Sequence, residues 1–376
     1  MVVYRILGEV NMVNPLKIAV IAGTRPNLVK ISSILRACQK RDKIKTIFIH
    51  TGQHYSYNMN QSFMEDLEIP PPDINLNVGS LSPVLQISEI MKRLEKAFIE
   101  TAPDLVVVVG DVNSTVASAL AAVKMGIKVA HVEAGLRSFD RGMPEEINRI
   151  ITDSVSDVLF ATEKSGVDNL KREGICHKKI HLVGNVMIDT LEYNRVKAEK
   201  SKILEKLKLF HKEYVVLTLH RPSNVDTKKD FIKIINAVVE IQKNIKVIFP
   251  AHPRTFETIE EIGLKDKLFN LKIVEPMGYL DFLKLLSHSK VVITDSGGIQ
   301  EETTIFGVPC ITARNNTERP ITINEGTNIL AGTETKSIAN VYVDICKKIR
   351  KNTRPYFWDG KASDRIVKIL MNIYRE

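Results

Sequence analysis

Along most of the chain, short apolar runs rich in β-branched residues alternate with longer amphipathic stretches. Nearly all of these runs are unbroken, which is typical of strands that are covered on both faces of a sheet. Their regular alternation with predicted helices indicates parallel sheets with right-handed crossovers. The predicted strands are KIAVIAG, KTIFIHTG, LVVVVGD, KVAHVEAG, DVLFAT, KIHLVGN, YVVLTLH, KVIFPAH, KIVEP, VVITDS and PCITA.

The predicted strands form two series, separated by a lysine-rich helix expected over roughly Leu191 to Leu209. The first series ends by about Asn185 and the second begins at Tyr214. A chain of 376 residues is also longer than one hydrophobic core ordinarily supports. We therefore predict an α/β protein with two doubly wound domains, residues 1–185 and 186–361.

The two ends of the chain and its apolar runs lead to further predictions. The segment 1–14 is short, mixes apolar and polar residues, and lacks a signal-peptide pattern. We therefore expect a loosely held extension and a cytoplasmic protein. No apolar run approaches the roughly 20 residues that cross a bilayer, so we expect no membrane association. An amphipathic helix over about 362–376 is predicted to pack back on the first domain.

Composition excludes several classes of partner and cofactor. The net charge is +9, but no basic block is interleaved with aromatic residues, so we expect no nucleic-acid partner. A mildly basic surface also suits a small anionic ligand. The four cysteines are far apart, which predicts reduced thiols rather than disulfides or zinc ligands, and we expect no metal site and no cofactor.

Charged and polar side chains of both signs follow many of the predicted strands. Because ligands bind outside the carboxyl ends of strands in open α/β sheets, these side chains predict a shared cleft. They are Arg25, Lys30, Asp111, Glu133, Glu145, His220, Arg221, His252, Arg254, Asp295 and Ser296.

The stretch HVEAGLRSFDRGMPEEINR allows two interpretations. Pro144 suits the first position of a helix, and Glu145 and Glu146 favour the positive end of its dipole, so helix chemistry alone explains the acids. Alternatively, Glu133 at the end of a strand and Glu145 on the next helix are catalytic carboxylates. Glu146 is then helix surface or a salt-bridge partner of Arg149.

The stretch TDSGGIQEET predicts a phosphate-binding turn. Its strand ends at Asp295, Ser296 caps the following helix, and Gly297 and Gly298 let a ligand approach free backbone N–H groups. Glu302, on the second turn, suits ribose hydroxyls. A plain N-capped helix with a tight entry is the structural alternative.

Three common nucleotide and hydrolase motifs are missing. The sequence contains no Gly-x-Gly, no Walker A pattern and no Gly-x-Ser-x-Gly. These absences disfavour a nicotinamide-dependent dehydrogenase, a P-loop kinase and an α/β-hydrolase.

Seven ordered motifs resemble the non-hydrolysing UDP-N-acetylglucosamine 2-epimerases: GTRPNLVK, the GD at 110–111, HVEAGLRS, PEEINR, LTLHRPSN, TDSGGIQEE and TERP. The resemblance covers the chain from about Lys17. It implies two Rossmann-like domains in the GT-B arrangement, a UDP-sugar substrate in the cleft between them, and a homodimer.

The resemblance also implies a role for each matching position. The catalytic group is Asp111, Glu133 and Glu145, with His220 beside the diphosphate or the sugar. The binding group is Arg25 and Lys30 near the diphosphate or the sugar, Met277 and Phe282 at the uracil, Ser296, Gly297 and Gly298 at the phosphates, Glu302 at the ribose, and Arg319 close to the nucleotide.

Inverting C2 of such a sugar without a nicotinamide requires elimination of UDP to a glycal, followed by re-addition. Cations must stabilise the departing diphosphate, and acid–base groups must stand on both faces of the ring. This requirement favours catalysis at Glu133 and Glu145, while the face served by each acid stays open.

Two questions of specificity remain open in the sequence. The family often has an allosteric substrate site, for which Gln53, His54, Arg221 and His252 are candidates, but Tyr55 and Ser56 replace the usual polar residues. The alternative functions are a hydrolysing epimerase that releases UDP and N-acetylmannosamine, an epimerase for a modified UDP-sugar, a GT-B glycosyltransferase, and a UDP-sugar-binding regulator.

Overall fold

The computed structural model describes residues 15–53, 63–220, 228–251, 253–264, 267–347 and 353–374. Its strands lie close to the apolar runs of the sequence. They are β1 (Leu16–Ala22), β2 (Ile44–His50), β3 (Ile74–Asn75), β4 (Leu105–Val109), β5 (Lys128–Ala134), β6 (Val158–Ala161), β7 (Ile180–Leu182), β8 (Tyr214–Thr218), β9 (Lys246–Pro250), β10 (Leu271–Val274), β11 (Val291–Thr294), β12 (Cys310–Thr312) and β13 (Asn328–Leu330).

Helices follow most of the strands, and among the described residues none is long and apolar enough to cross a membrane. Their bounds are α1 (Arg25–Gln39), α2 (Pro83–Thr101), α3 (Asn113–Lys124), α4 (Pro144–Val155), α5 (Lys164–Arg172), α6 (Val186–Glu199), α7 (Ile203–Leu207), α8 (Lys228–Ile241), α9 (Pro253–Glu261), α10 (Tyr279–Ser287), α11 (Gly297–Phe306), α12 (Pro320–Asn324), α13 (Thr335–Lys347) and α14 (Ala362–Ile373).

The strands form two parallel sheets, which confirms the predicted pair of doubly wound, Rossmann-like halves. The first sheet has the order β3-β2-β1-β4-β5-β6-β7, and the second has the order β10-β9-β8-β11-β12-β13. In each sheet the chain direction across the sheet reverses between two central strands, β1 and β4 in the first and β8 and β11 in the second. Loops diverge at such a point and leave a crevice, so it is where ligands bind in this class of fold.

The unbroken apolar strands are explained by helices on both faces of each sheet. In β1, Ile18 and Val20 pack into one hydrophobic core, whereas Ala19 and Ile21 pack into the core on the opposite face. Side chains of a strand alternate between the two faces, so both sets must be apolar when both faces are covered.

The lysine-rich helix differs from the prediction in its bounds. It begins earlier, at Val186, because the side chain of Asn185 accepts a hydrogen bond from the Met187 N–H at 2.9 Å and caps it. It ends at Glu199, and a separate short helix, α7, follows after Ser201. The prediction of a single helix over Leu191 to Leu209 was therefore wrong.

Helix α6 lies between the two sheets in the chain and packs against α1, α10 and α11. Its side chains Val186 and Leu191 belong to the hydrophobic core that also contains strand β1. The C-terminal helix α14 packs against α1 and α6. The domain boundary near residue 185 stays a prediction.

Two edge strands were not predicted from the sequence. Strand β3 has two residues and β13 has three, and each pairs with one neighbouring strand. Runs this short carry no periodicity, so only the neighbouring strand that supplies their hydrogen bonds identifies them.

Asp189 ties the C-terminal helix to α6. Its carboxylate accepts hydrogen bonds from the backbone N–H groups of Ala362 at 3.0 Å and Ser363 at 2.6 Å, at the beginning of α14. We predict that Asp189→Ala lowers the free energy of unfolding by about 1–2 kcal/mol, because both buried donors lose their acceptor. Urea unfolding followed by circular dichroism measures the change.

Asp364→Ala is the matched control, because Asp364 lies in the first turn of the same helix with its side chain 53% exposed. We expect a change below about 0.5 kcal/mol for this variant. Equal losses in the two variants would contradict a capping role for Asp189.

Candidate active site

A cavity of about 330 Å³ lies where the carboxyl-end loops of the two sheets meet. This volume is within the range of small-molecule sites. Elements of both halves of the chain line it, as the predicted cleft requires. The predicted site residues that line it are Arg25, Lys30, His220, Met277, Phe282, Ser296, Gly298, Glu302 and Arg319.

A buried chain of four charged side chains crosses the cleft at this cavity. Glu133, at the end of β5, forms ion pairs with Lys30 of α1 and with Arg319, which precedes α12. The Nε of Arg319 also contacts Glu301 of α11. Glu133 is 4% exposed and Arg319 is 4% exposed, so these pairs are shielded from solvent.

The backbone at Glu133 is held in an unusual conformation. Its φ is +77°, in a region that non-glycine residues rarely occupy, and the register between β5 and β6 shifts between Val132 and Ala134. Such local irregularity re-aims a side chain and costs energy, so it occurs where a particular direction is needed. Here it directs the Glu133 carboxylate to Lys30 and Arg319.

Gly110 leaves room for Lys30 to reach Glu133. Its φ is +68°, and a Cβ atom built there would lie 2.7 Å from the Lys30 Nζ. Any side chain at this position would therefore displace the ammonium group.

Asp111 lies beside this chain and contacts a third cation. Its carboxylate pairs with Arg149 of α4, and its backbone carbonyl accepts a hydrogen bond from Asn148 at 2.9 Å. Burial favours the neutral acid, but the charges of Arg149, Lys30 and Arg319 outweigh burial and lower the pKa of Asp111 below its usual value. Asp111 is thus held as a carboxylate.

The two acids behind Pro144 have different environments. Glu145 is half-buried at the beginning of α4. Glu146 is buried, so the alternative that it is helix surface was wrong, and the alternative of a salt bridge to Arg149 is confirmed at 2.6 Å. Its carboxylate also accepts hydrogen bonds from the backbone N–H groups of Ser138 and Phe139, both at 2.9 Å. Glu146 therefore fixes the loop between β5 and α4.

The two glycines at the beginning of α11 lie close to side chains of the protein. Ser296 occupies the N-cap position, but its hydroxyl makes no capping hydrogen bond to the described part of that helix, contrary to the prediction. A Cβ at Gly297 would lie 2.8 Å from a carboxylate oxygen of Glu318, and one at Gly298 would lie 3.3 Å from the Met187 methyl group. Ser296 and Gly298 line the cavity, so the hydroxyl and the helix N-terminus face it together.

His220 follows β8 on the opposite side of the switch point. Its backbone N–H donates to both carboxylate oxygens of buried Asp295, at 3.0 and 3.1 Å. The imidazole is 64% exposed and lines the cavity. Asp295 therefore fixes the backbone of His220, and the ring lies at the cavity.

Glu302 is buried against Tyr279, whose hydroxyl donates to it at 3.2 Å. Burial raises the pKa of Glu302 to about 8, and the nearby charge of Glu301 adds to the rise. Near neutral pH this group is mainly a carboxylic acid, which can both donate and accept hydrogen bonds with hydroxyl groups.

The predicted uracil residues Met277 and Phe282 both line the cavity and pack against the hydrophobic core beneath α10. Among the candidates for an allosteric site, Gln53 is buried beside Gly23 and is absent from the cavity lining. His54, Arg221 and His252 lie outside the described residues.

Three buried groups of the site were missed from the sequence. Glu301 binds Arg319, Tyr279 binds Glu302, and Glu163 lies at the end of β6 near both Glu301 and Arg319. Burial raises the pKa of Glu163 to about 7. Two of them had a signal, since Glu301 precedes Glu302 in the phosphate-turn stretch and Tyr279 lies between the predicted residues Met277 and Phe282. Among the described residues, no group of three or more His, Cys, Asp or Glu side chains could hold a metal ion.

The raised pKa of Glu302 has a consequence for stability. The folded protein holds the proton of Glu302 up to about pH 8, whereas the unfolded chain releases it near pH 4.5. The contribution of this proton to the free energy of unfolding is therefore complete below about pH 4.5 and is lost as the pH rises through 8. We predict that the unfolding free energy of the wild type falls relative to that of Glu302→Gln by at most about 1.4 kcal/mol per pH unit in this window. Urea unfolding at several pH values measures the difference.

Glu95→Gln is the matched control, because Glu95 is exposed on α2. Its stability should follow that of the wild type at every pH. Parallel curves for wild type and Glu302→Gln would contradict a raised pKa at Glu302.

Comparison with known proteins identifies the family of this chain. The sequence profile described as UDP-N-acetylglucosamine 2-epimerase matches residues 36–371. A Methanococcus maripaludis protein named UDP-N-acetylglucosamine 2-epimerase is 44% identical over 363 residues, covering 94% of this chain and 98% of that protein. A Pseudomonas aeruginosa protein named UDP-2,3-diacetamido-2,3-dideoxy-D-glucuronate 2-epimerase is 38% identical over 361 residues, covering 95% of this chain and 100% of that protein.

A solved structure gives the same result for the fold. The crystal structure of Methanocaldococcus jannaschii UDP-GlcNAc 2-epimerase in complex with UDP-GlcNAc and UDP superimposes with a TM-score of 0.89 and 44% sequence identity. The alignment covers 95% of this chain and 100% of that one. The resemblance found in the sequence motifs is therefore confirmed, and the chain belongs to the UDP-N-acetylglucosamine 2-epimerase family.

Proposed function

We propose that this enzyme catalyses the reversible C2 epimerisation of UDP-N-acetylglucosamine to UDP-N-acetylmannosamine, without hydrolysis. In the first step a carboxylate takes the C2 proton, the C–H electron pair forms the C1–C2 double bond, and the C1–O pair leaves with UDP. In the second step UDP oxygen adds back to C1 of the glycal while C2 receives a proton on the opposite face. Neither step transfers a hydride or an electron to or from an external group, so the reaction needs no redox cofactor.

The departing diphosphate requires positive groups already in place, because reorganising water around a new dianion is costly. Lys30, Arg319 and Arg25 line the cavity together with the N-terminal turn of α11. Burial lowers the pKa of Arg25 from its usual value, although the group stays a cation at neutral pH. Cations and the N-terminal turn of a helix thus line one cavity, which supports a diphosphate position there.

Proton transfer on both faces of the ring requires more than one carboxyl group. Asp111 is kept charged by its cationic neighbours, so it is in the state that can accept a proton, although the same cations weaken it as a base. Glu133 lies behind Lys30 and Arg319, and half-buried Glu145 begins the next helix. These three acids come from the ends of two adjacent strands and the helix that follows them.

The single observation that carries the proposal is the contact of Glu133 with both Lys30 and Arg319. It brings an acid–base group into direct contact with two cations that line the cavity. Elimination of UDP requires this combination, since proton removal and departure of the diphosphate occur at neighbouring carbon atoms.

A modified UDP-sugar is the second candidate substrate. The Pseudomonas aeruginosa relative supports it, because that protein is named for a diacetamido glucuronate. Such a substrate has a carboxylate at C6 and would need a cation to face it. UDP-N-acetylglucosamine is preferred here because the relatives named for it are more similar.

Proton NMR of UDP-N-acetylglucosamine incubated with the enzyme in deuterated water tests the reaction. We predict the manno epimer, with deuterium at C2 of both sugars, because the proton at C2 leaves and returns from an exchangeable group. Accumulation of free N-acetylmannosamine and UDP would instead show the hydrolysing reaction. Absence of exchange would contradict the proposed substrate, and the diacetamido uronate is then the next to be assayed.

Glu145→Gln is the informative variant in this experiment, because Glu145 takes no part in the buried ion pairs of the site among the described residues. It should lose deuterium incorporation while UDP still binds. Glu95→Gln, on the exposed face of α2, serves as the control and should exchange like the wild type.

We further propose that the enzyme works as a homodimer, as the family resemblance implies. Large apolar side chains are exposed at the beginning of α2, with Leu81 43%, Val84 77% and Leu85 57% exposed, which supports a protein partner. Light scattering during size exclusion should give twice the chain mass of 42.4 kDa. A mass of one chain at micromolar concentration would contradict it.

A further inference from the structure

The two cations that line the cavity beside the phosphate turn are already bound to a carboxylate of the protein. Lys30 and Arg319 both contact Glu133, and the three side chains are nearly inaccessible to solvent. A buried carboxylate between two cations is well stabilised, because each ion compensates the desolvation of the others. A second anion that uses the same cations must therefore compete with it.

We propose that Glu133 and the diphosphate of the substrate compete for Lys30 and Arg319, so that binding of the diphosphate releases Glu133 as the proton acceptor. This inference rests on the proposed function for the identity of the substrate. It concerns the coupling between binding and proton transfer, which the family membership leaves open.

The geometry of Arg319 favours an exchange of partners rather than a movement of the whole side chain. Its Nε is held by Glu301, and its Nη2 reaches Glu133. Its Nη1 is buried without a hydrogen-bond partner among the described residues, and Arg319 is one of the residues that line the cavity. A buried donor of this kind is costly unless a ligand satisfies it. A phosphate oxygen would satisfy Nη1 and draw the guanidinium charge away from Glu133.

Glu133 itself has little freedom to follow its cations. Its backbone is fixed by the irregular register beside β6 and by a φ of +77°. When Lys30 and Arg319 turn toward a diphosphate, the carboxylate loses part of the stabilisation of its charged form and becomes a better proton acceptor. Proton removal from C2 is thereby linked to the presence of the leaving group.

Calorimetric titration with UDP tests the competition without requiring turnover. We predict that Glu133→Gln binds UDP roughly tenfold or more tightly than the wild type, because the competing charge is gone. The matched control is Asp111→Asn, which removes a nearby carboxylate whose direct ion pair is with Arg149, whereas Lys30 and Arg319 act on it only at longer range. Its gain in UDP affinity should be much smaller. Equal gains would overturn the proposal in favour of a general effect of negative charge.

Glu133→Asp separates contact from charge, because it keeps the carboxylate but shortens the side chain by one methylene. It should also bind UDP more tightly than the wild type, since the shorter group cannot hold both cations, and it provides a second test where Glu133→Gln does not fold. Thermal unfolding verifies that each variant is native. Unchanged or weaker UDP binding in the native variants would overturn the proposal.

Uridine is the control ligand, since it fills the base and ribose sites but carries no phosphate. Its affinity should be the same for wild type and for all three variants, so a gain for uridine also contradicts the competition. These binding results are independent of deuterium exchange, so failure of the proposed epimerisation and failure of the competition are distinguishable.

Discussion

The contact of Arg319 with Glu133 is the interaction on which the site depends, because it joins the carboxyl edges of the two sheets. Arg319 precedes α12 in the second half, whereas Glu133 ends β5 in the first. Each ion would be costly to bury alone. Together with Lys30 and Glu301 they form two positive and two negative charges within one shielded cluster. The cluster therefore requires both halves of the chain to be in place.

Buried ion pairs seldom add net stability, so this cluster is better explained by function than by folding. The strained backbone of Glu133 also indicates a functional role, since strain persists only where the surrounding structure enforces it. The enforcing structure is the pair of parallel sheets, whose apolar strands are covered on both faces. Hydrophobic burial away from the cleft compensates the polar and strained arrangement within it.

The sequence predicted the elements that have a repeated apolar pattern and missed those that depend on a single neighbour. Nearly every long apolar run is a strand, because burial on both faces demands it. The edge strands β3 and β13 and the break after Glu199 follow from local hydrogen bonds, which leave no periodic trace. Likewise, the sequence left Glu146 as helix surface or as a salt-bridge partner of Arg149, and its burial depends on Arg149 and on the loop at Ser138.

Neighbouring acids on α11 show why residue type and spacing find a site but do not assign its chemistry. Glu301 and Glu302 differ by about 100° around the helix, so one carboxylate meets Arg319 and the other meets the hydroxyl of Tyr279. Without a cation, Glu302 keeps its proton to about pH 8. Glu301, which touches Arg319, instead fixes the guanidinium that Glu133 shares. Two identical side chains in one motif thus supply a neutral hydrogen-bonding group and an anchor for a cation, and the neighbouring side chain that each one meets decides which is which.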